Sequence, residues 1–117
     1  MSPKRNDPAP IPTLPDEWKL ILGTTDAANG WDELSRIATA NTRRCWDALR
    51  TNPRSTANRQ RQHRLAGPLA TGAYKGAALE QWEYEVTSGG RVRYLIDDDA
   101  RTVWIVYASP QHPKDTE

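Results

Sequence analysis

The chain has 117 residues, 37% hydrophobic and 26% charged, with a formal net charge of +1, which suits one domain with a modest core and leaves little room for two. The near-neutral total argues against strong generic attraction to nucleic acid, and the single cysteine, Cys45, excludes an internal disulfide and a thiolate metal cluster. No apolar run is long enough to cross a membrane, and the charged N-terminus lacks the apolar stretch of a secretory signal, so a cytoplasmic location is expected.

Residues 1–15, MSPKRNDPAPIPTLP, hold five of the nine prolines. Proline fixes φ and has no amide donor, so this stretch reads as a flexible lead-in to a single domain over 16–117. In EWKLILG, Trp18, Leu20 and Leu22 alternate with Lys19 and Ile21, which predicts a short strand ended by Gly23. TTDAANGWDELSRIATA reads as a helix. Thr25 is placed to cap it, Asp26 suits the positive end of its dipole, and Ala27, Trp31, Leu34 and Ile37 share a face; Gly30 is a local weakness. NTRRCWDALRTNP predicts a second helix, capped by Asn41, lined by Cys45, Ala48 and Leu49, and ended by Pro53. The short separation makes an antiparallel helix hairpin the natural arrangement. The next stretch, RSTANRQRQHRLAGPLATGAYKGA, has no clear period and reads as a loop, with at most a short strand near Leu65 or Leu69.

A sheet follows. Trp82, Tyr84 and Val86 alternate with Gln81, Glu83 and Glu85, which is strand period. TSGG is a hairpin signal, because glycine accepts positive φ without a Cβ penalty. In the next strand Val92, Tyr94 and Ile96 form one face, and Arg91, Arg93 and Leu95 the other. DDDA turns the chain again. The last strand is apolar on both sides, with Val103, Ile105 and Tyr107 on one and Trp104 and Val106 on the other, as expected of a strand covered on both faces. The fold class predicted is α+β: an N-terminal strand and a helix hairpin packed on a twisted antiparallel sheet of about four strands.

Charge is unevenly spread. From Arg43 to Arg64 seven arginines stand against Asp47, a balance of 7 − 1 = +6, whereas from Glu80 to Asp99 the balance is 2 − 6 = −4. Arg91 and Arg93 are two apart on one strand, so they project from one face roughly 6–7 Å apart. That geometry suits a phosphodiester clamp, since a guanidinium stays charged and gives paired hydrogen bonds; the plainer reading pairs them with Glu83 or Glu85 across the hairpin. His112 lies just past the last strand, and Pro113 restricts it to extended backbone. An imidazole titrates near neutral pH and suits an acid or base role. Lys114 is a further candidate phosphate contact, and Arg61, His63 and Arg64 in RQRQHRL are candidate RNA contacts, although a solvated charge run is the ordinary explanation for such a stretch. Two histidines 49 residues apart without a cysteine cluster give no metal signature. No cofactor is implied.

The segments HRLAG, WEYEVTSGGRVRYLIDDDARTVWIVYA and SPQHPK together resemble the RelE/ParE family of bacterial toxin proteins. The likeness is good from about Arg44 to Lys114 and weak before Asp16. It implies a small α+β fold with two helices on one face of the sheet. It implies one of two activities. Relatives of the RelE kind cleave mRNA on the ribosome without a metal, and those of the ParE kind inhibit DNA gyrase and cleave nothing. Both kinds are commonly held inactive by an antitoxin protein, and a degenerate, inactive member is a third alternative. On the RelE pattern His112, Arg93 and Arg91 would be catalytic, and Lys114, Arg64, His63 and Arg61 would bind RNA. The near-neutral charge and the DDD turn depart from the basic character of ribosome-binding relatives.

Overall fold

A computed structural model describes residues 2–113. It is an α+β arrangement of two helices and a mixed six-stranded sheet. The strands are β1 (Lys19–Leu22), β2 (Gln62–Arg64), β3 (Thr71–Tyr74), β4 (Ala77–Glu85), β5 (Arg91–Asp97) and β6 (Thr102–Ser109); the helices are α1 (Thr25–Ile37) and α2 (Thr39–Thr51). The sheet order is β1-β6-β5-β4-β2, with β3 pairing the other half of β4's edge. The expected four antiparallel strands are thus corrected in two respects. Two short strands lie in the stretch without period, and β1 runs parallel to β6. The helix pair between β1 and the meander is the crossover that a parallel pairing requires.

Thr24, not Thr25, caps α1: its side chain accepts from the Ala27 amide at 3.0 Å. A single residue, Ala38, separates the helices, so α2 begins at Thr39 and Asn41 lies inside it rather than at its cap. Thr42 secures the junction by donating to the carbonyls of Ala38 and Leu34, at 2.8 and 3.0 Å. Ala27 and Leu34 of α1 and Cys45 and Leu49 of α2 are buried against Trp82, Tyr84, Val86, Val92, Tyr94, Ile96, Val103 and Ile105. The strand residues are those the alternation assigned to one face. Ile37, read as part of the inner stripe, is 63% exposed at the helix end.

Gly30 explains itself at the helix–sheet crossing. A Cβ there would lie 1.6 Å from the Ala108 carbonyl oxygen, so only glycine lets α1 descend onto β6. The Thr87–Gly90 turn uses its glycines differently from the expectation. Neither Gly89 nor Gly90 has positive φ; a Cβ on Gly90 would meet Thr87 Oγ1 at 2.8 Å and Leu34 at 3.1 Å, so the requirement is space. The left-handed pair is Lys75–Gly76, with φ of 49° and 82°, in the two-residue turn between β3 and β4.

The sheet face away from the helices is divided. At one end β3 folds over it, with Gly72 against Leu95 and the Tyr74 ring 4.8 Å from Trp104. This is the second cover that an all-apolar β6 demands. The other end carries the polar residues described next.

Candidate functional site

Strand registers assemble a polar row across this face. His63 on β2 lies opposite Glu83 on β4, Glu83 opposite Arg93 on β5, and Arg93 opposite Tyr107 on β6. At about 4.8 Å per strand the row spans about 14 Å. Beside it runs a second row, Glu85–Arg91–Ser109.

Tyr107 joins the row because of a β-bulge. Tyr94 pairs with Ile105 but Arg93 pairs with Tyr107, leaving Val106 as the extra residue. An inserted residue shifts the alternation by one. Tyr107 therefore moves off the Val103–Ile105 face, where simple alternation put it, and its ring lies 5.6 Å from the Arg93 guanidinium. Ala108 takes the inward position beneath Gly30. Sequence reasoning missed Tyr107 because nothing within β6 marks the bulge. The one available hint was the small residue, Ala108, that a close helix crossing at Gly30 needs opposite it.

The arginines are deeply engaged. Arg93 Nε donates to Glu83 Oε2 at 2.9 Å, and the two side chains are 7% and 6% exposed. Arg91 is 12% exposed, with Nε 3.6 Å from Glu83 and Nη2 3.6 Å from Glu85. Its Nη1 donates to the carbonyls of Thr87, Ser88 and Gly90 at 3.0–3.1 Å. Two guanidinium charges thus face two carboxylates, and the plainer reading of the arginines describes their resting contacts.

His112 is brought to the same place. Its Nε2 lies 3.2 Å from Arg91 Nη2. The segment after β6 turns back along the Thr87–Gly90 hairpin, where a Cβ on Gly89 would meet the Pro110 oxygen at 3.1 Å. Pro113 is buried and anchors that return. His112, Arg91 and Arg93 therefore converge, on one side of the sheet. His63 is on the same face, and its Nδ1 is sealed from solvent with no hydrogen-bond partner among the described residues.

The remaining candidates are not gathered there. Arg64 lies opposite Trp82, on the helix-side phase of β2, and donates to the Ala70 carbonyl at 3.2 Å. Arg61 is at the sheet edge, donating to the Glu85 carbonyl at 2.9 Å. Lys114 lies outside the described residues. The DDD turn is remote from the site, because Asp97 is six residues along β5 from Arg91, about 20 Å at strand rise. Asp98 is held there by Arg54, which also grips Glu80. Those bonds pull both carboxyls below their ordinary range and raise the guanidinium.

Among the described residues no group of three or more histidine, cysteine or acidic side chains is placed to hold a metal ion, and no helix is long and apolar enough to cross a membrane. Neither a protein-family model nor a curated protein matches the chain.

Proposed function

We propose that this chain is a RelE-like toxin, a metal-independent endoribonuclease that cleaves mRNA on the ribosome and is restrained by an antitoxin protein. The observation that carries the reading is the juxtaposition of His112 with Arg91, 3.2 Å apart, beside Arg93 and Tyr107 on one sheet face. Proton transfer takes place at His112. The ribose 2′-oxygen gives up its proton and bonds to the adjacent phosphorus, the P–O5′ bond breaks, and O5′ leaves with a proton from solvent. The products are a 2′,3′-cyclic phosphate and a 5′-hydroxyl. The guanidinium pair supplies positive charge beside the phosphate as negative charge develops on it.

The test is incubation of the purified chain with translating ribosomes in the presence of a chelator, with mapping of message ends. Cyclic-phosphate ends are expected, and His112→Ala is expected to reduce cutting by about 10²–10⁴-fold, the usual worth of a general acid or base. Intact message, or equal cutting by the variant, overturns the proposal.

One observation favours the second reading, a ParE-like toxin that binds gyrase without chemistry. Glu83 contacts both arginines, and among the described residues the charges of Arg91, Arg93, Glu83 and Glu85 sum to zero. Gyrase arrest with uncut RNA would establish that alternative; unchanged growth on overexpression would point to an inactive member.

A further inference from the structure

We infer that Arg91 is a positioning residue for His112: by donating to Nε2 it holds the resting imidazole as the tautomer protonated on Nδ1, so that Nε2 is the nitrogen left unprotonated. A guanidinium has donors and no acceptor. The nitrogen that meets Arg91 Nη2 at 3.2 Å must therefore be the acceptor, and a neutral ring that accepts at Nε2 carries its proton on Nδ1.

Arg91 is built to hold rather than to reach. Its Nη1 is taken by three backbone carbonyls of the hairpin turn, Nε faces Glu83, and Nη2 faces Glu85 and His112. With Nη1 hydrogen-bonded to three carbonyls, Nε and Nη2 ion-paired to carboxylates at 3.6 Å and the side chain 12% exposed, swinging onto a phosphate would break several contacts at once. The carboxylates and the turn fix the guanidinium, and the guanidinium fixes the ring. His112 itself is exposed, with its backbone anchored by buried Pro113, so a substrate can reach the ring although its orienting partner is enclosed. In the cleavage step proposed above, the Arg91 hydrogen bond to Nε2 opens and the 2′-OH proton passes to the lone pair so freed; the tautomer itself stands on the contact alone, and only its catalytic meaning rests on the nuclease reading.

Imidazole nitrogen shifts of the ¹⁵N-labelled full chain decide the matter at about pH 8, where a free imidazole is neutral. His112 is assigned by the signals lost in His112→Gln. The wild type is expected to show a protonated Nδ1 and an unprotonated Nε2. Arg91→Leu is expected to shift the ring toward the Nε2–H form preferred by free histidine, and Arg91→Lys, also donor-only, to restore the wild-type pattern. An Nε2–H ring in the wild type overturns the inference whether or not the Arg91→Leu variant folds, as does an unchanged pattern in a folded Arg91→Leu. RNA cleavage on the same samples separates the two ideas. An Nδ1–H ring without cutting keeps the positioning role and removes the nuclease, and cutting with an Nε2–H ring does the reverse.

Discussion

Replacing Glu83 by glutamine removes one charge with almost no change of shape, at the centre of the polar row. The carboxylate and the Arg93 guanidinium are 6% and 7% exposed and 2.9 Å apart. Deleting one member of a buried pair leaves a desolvated charge behind, at a cost of about 3–5 kcal/mol. The amide retains one oxygen for Arg93, and Arg91 retains Glu85, so the low end, about 3 kcal/mol, is expected. For a chain of this size that corresponds to a fall in Tm of roughly 12 °C, at about 4 °C per kcal/mol. The assay is urea unfolding followed by tryptophan fluorescence: the midpoint should fall while the slope m stays constant. Glu83→Gln combined with Arg93→Met should recover most of the loss, because the charge that suffers from losing the carboxylate is then gone. A loss below about 0.5 kcal/mol, or a double variant less stable than the single, would refute the claim that Glu83 and Arg93 stabilise each other by mutual charge compensation.

Gly30→Ala should destabilise the fold although alanine is the better helix former by about 1 kcal/mol, because the new Cβ would overlap the Ala108 oxygen at 1.6 Å; a Tm at or above wild type would contradict the close crossing of α1 on β6. Acidification should weaken the Arg54–Glu80–Asp98 cluster. Both carboxyls are held below their ordinary values of 4.5 and 3.8, so their stabilisation is complete above those values and is lost as pH falls through the lowered ones. Urea midpoints measured down to about pH 3 should therefore drop more steeply for wild type than for Arg54→Met. Tyr94 behaves in the opposite sense. Burial raises its phenol above the ordinary 10.0, so stability is present below pH 10.0 and lost as pH rises beyond it. The hydroxyl donates to the Pro53 carbonyl at 2.7 Å and accepts from Gln62 Nε2 at 3.1 Å. Tyr94→Phe should cost about 1–3 kcal/mol at neutral pH and flatten the alkaline loss, which a denaturation series up to about pH 11 would read.

Period and composition alone were enough for both helices, the three long strands and the partition of Trp82 and Tyr84, and of Val92, Tyr94 and Ile96, each onto one face of its strand, since burial of one face imposes a repeat that the residues themselves carry. They were also enough to put Arg91 and Arg93 on the opposite face and to single out His112. They could not reveal β2 and β3, which are three and four residues long and exist because β4 offers them an edge, nor the parallel pairing of β1 with β6, a contact between segments some eighty residues apart. Tyr107 was misplaced for a related reason: a bulge is a property of two strands pairing out of step, invisible in either one. Whether Arg91 and Arg93 face solvent or carboxylate, and which nitrogen of His112 meets a guanidinium, were likewise decided only when four strands and a returning tail came together. Local sequence encodes the direction a side chain takes from its own backbone, and only the closed sheet determines what it meets there.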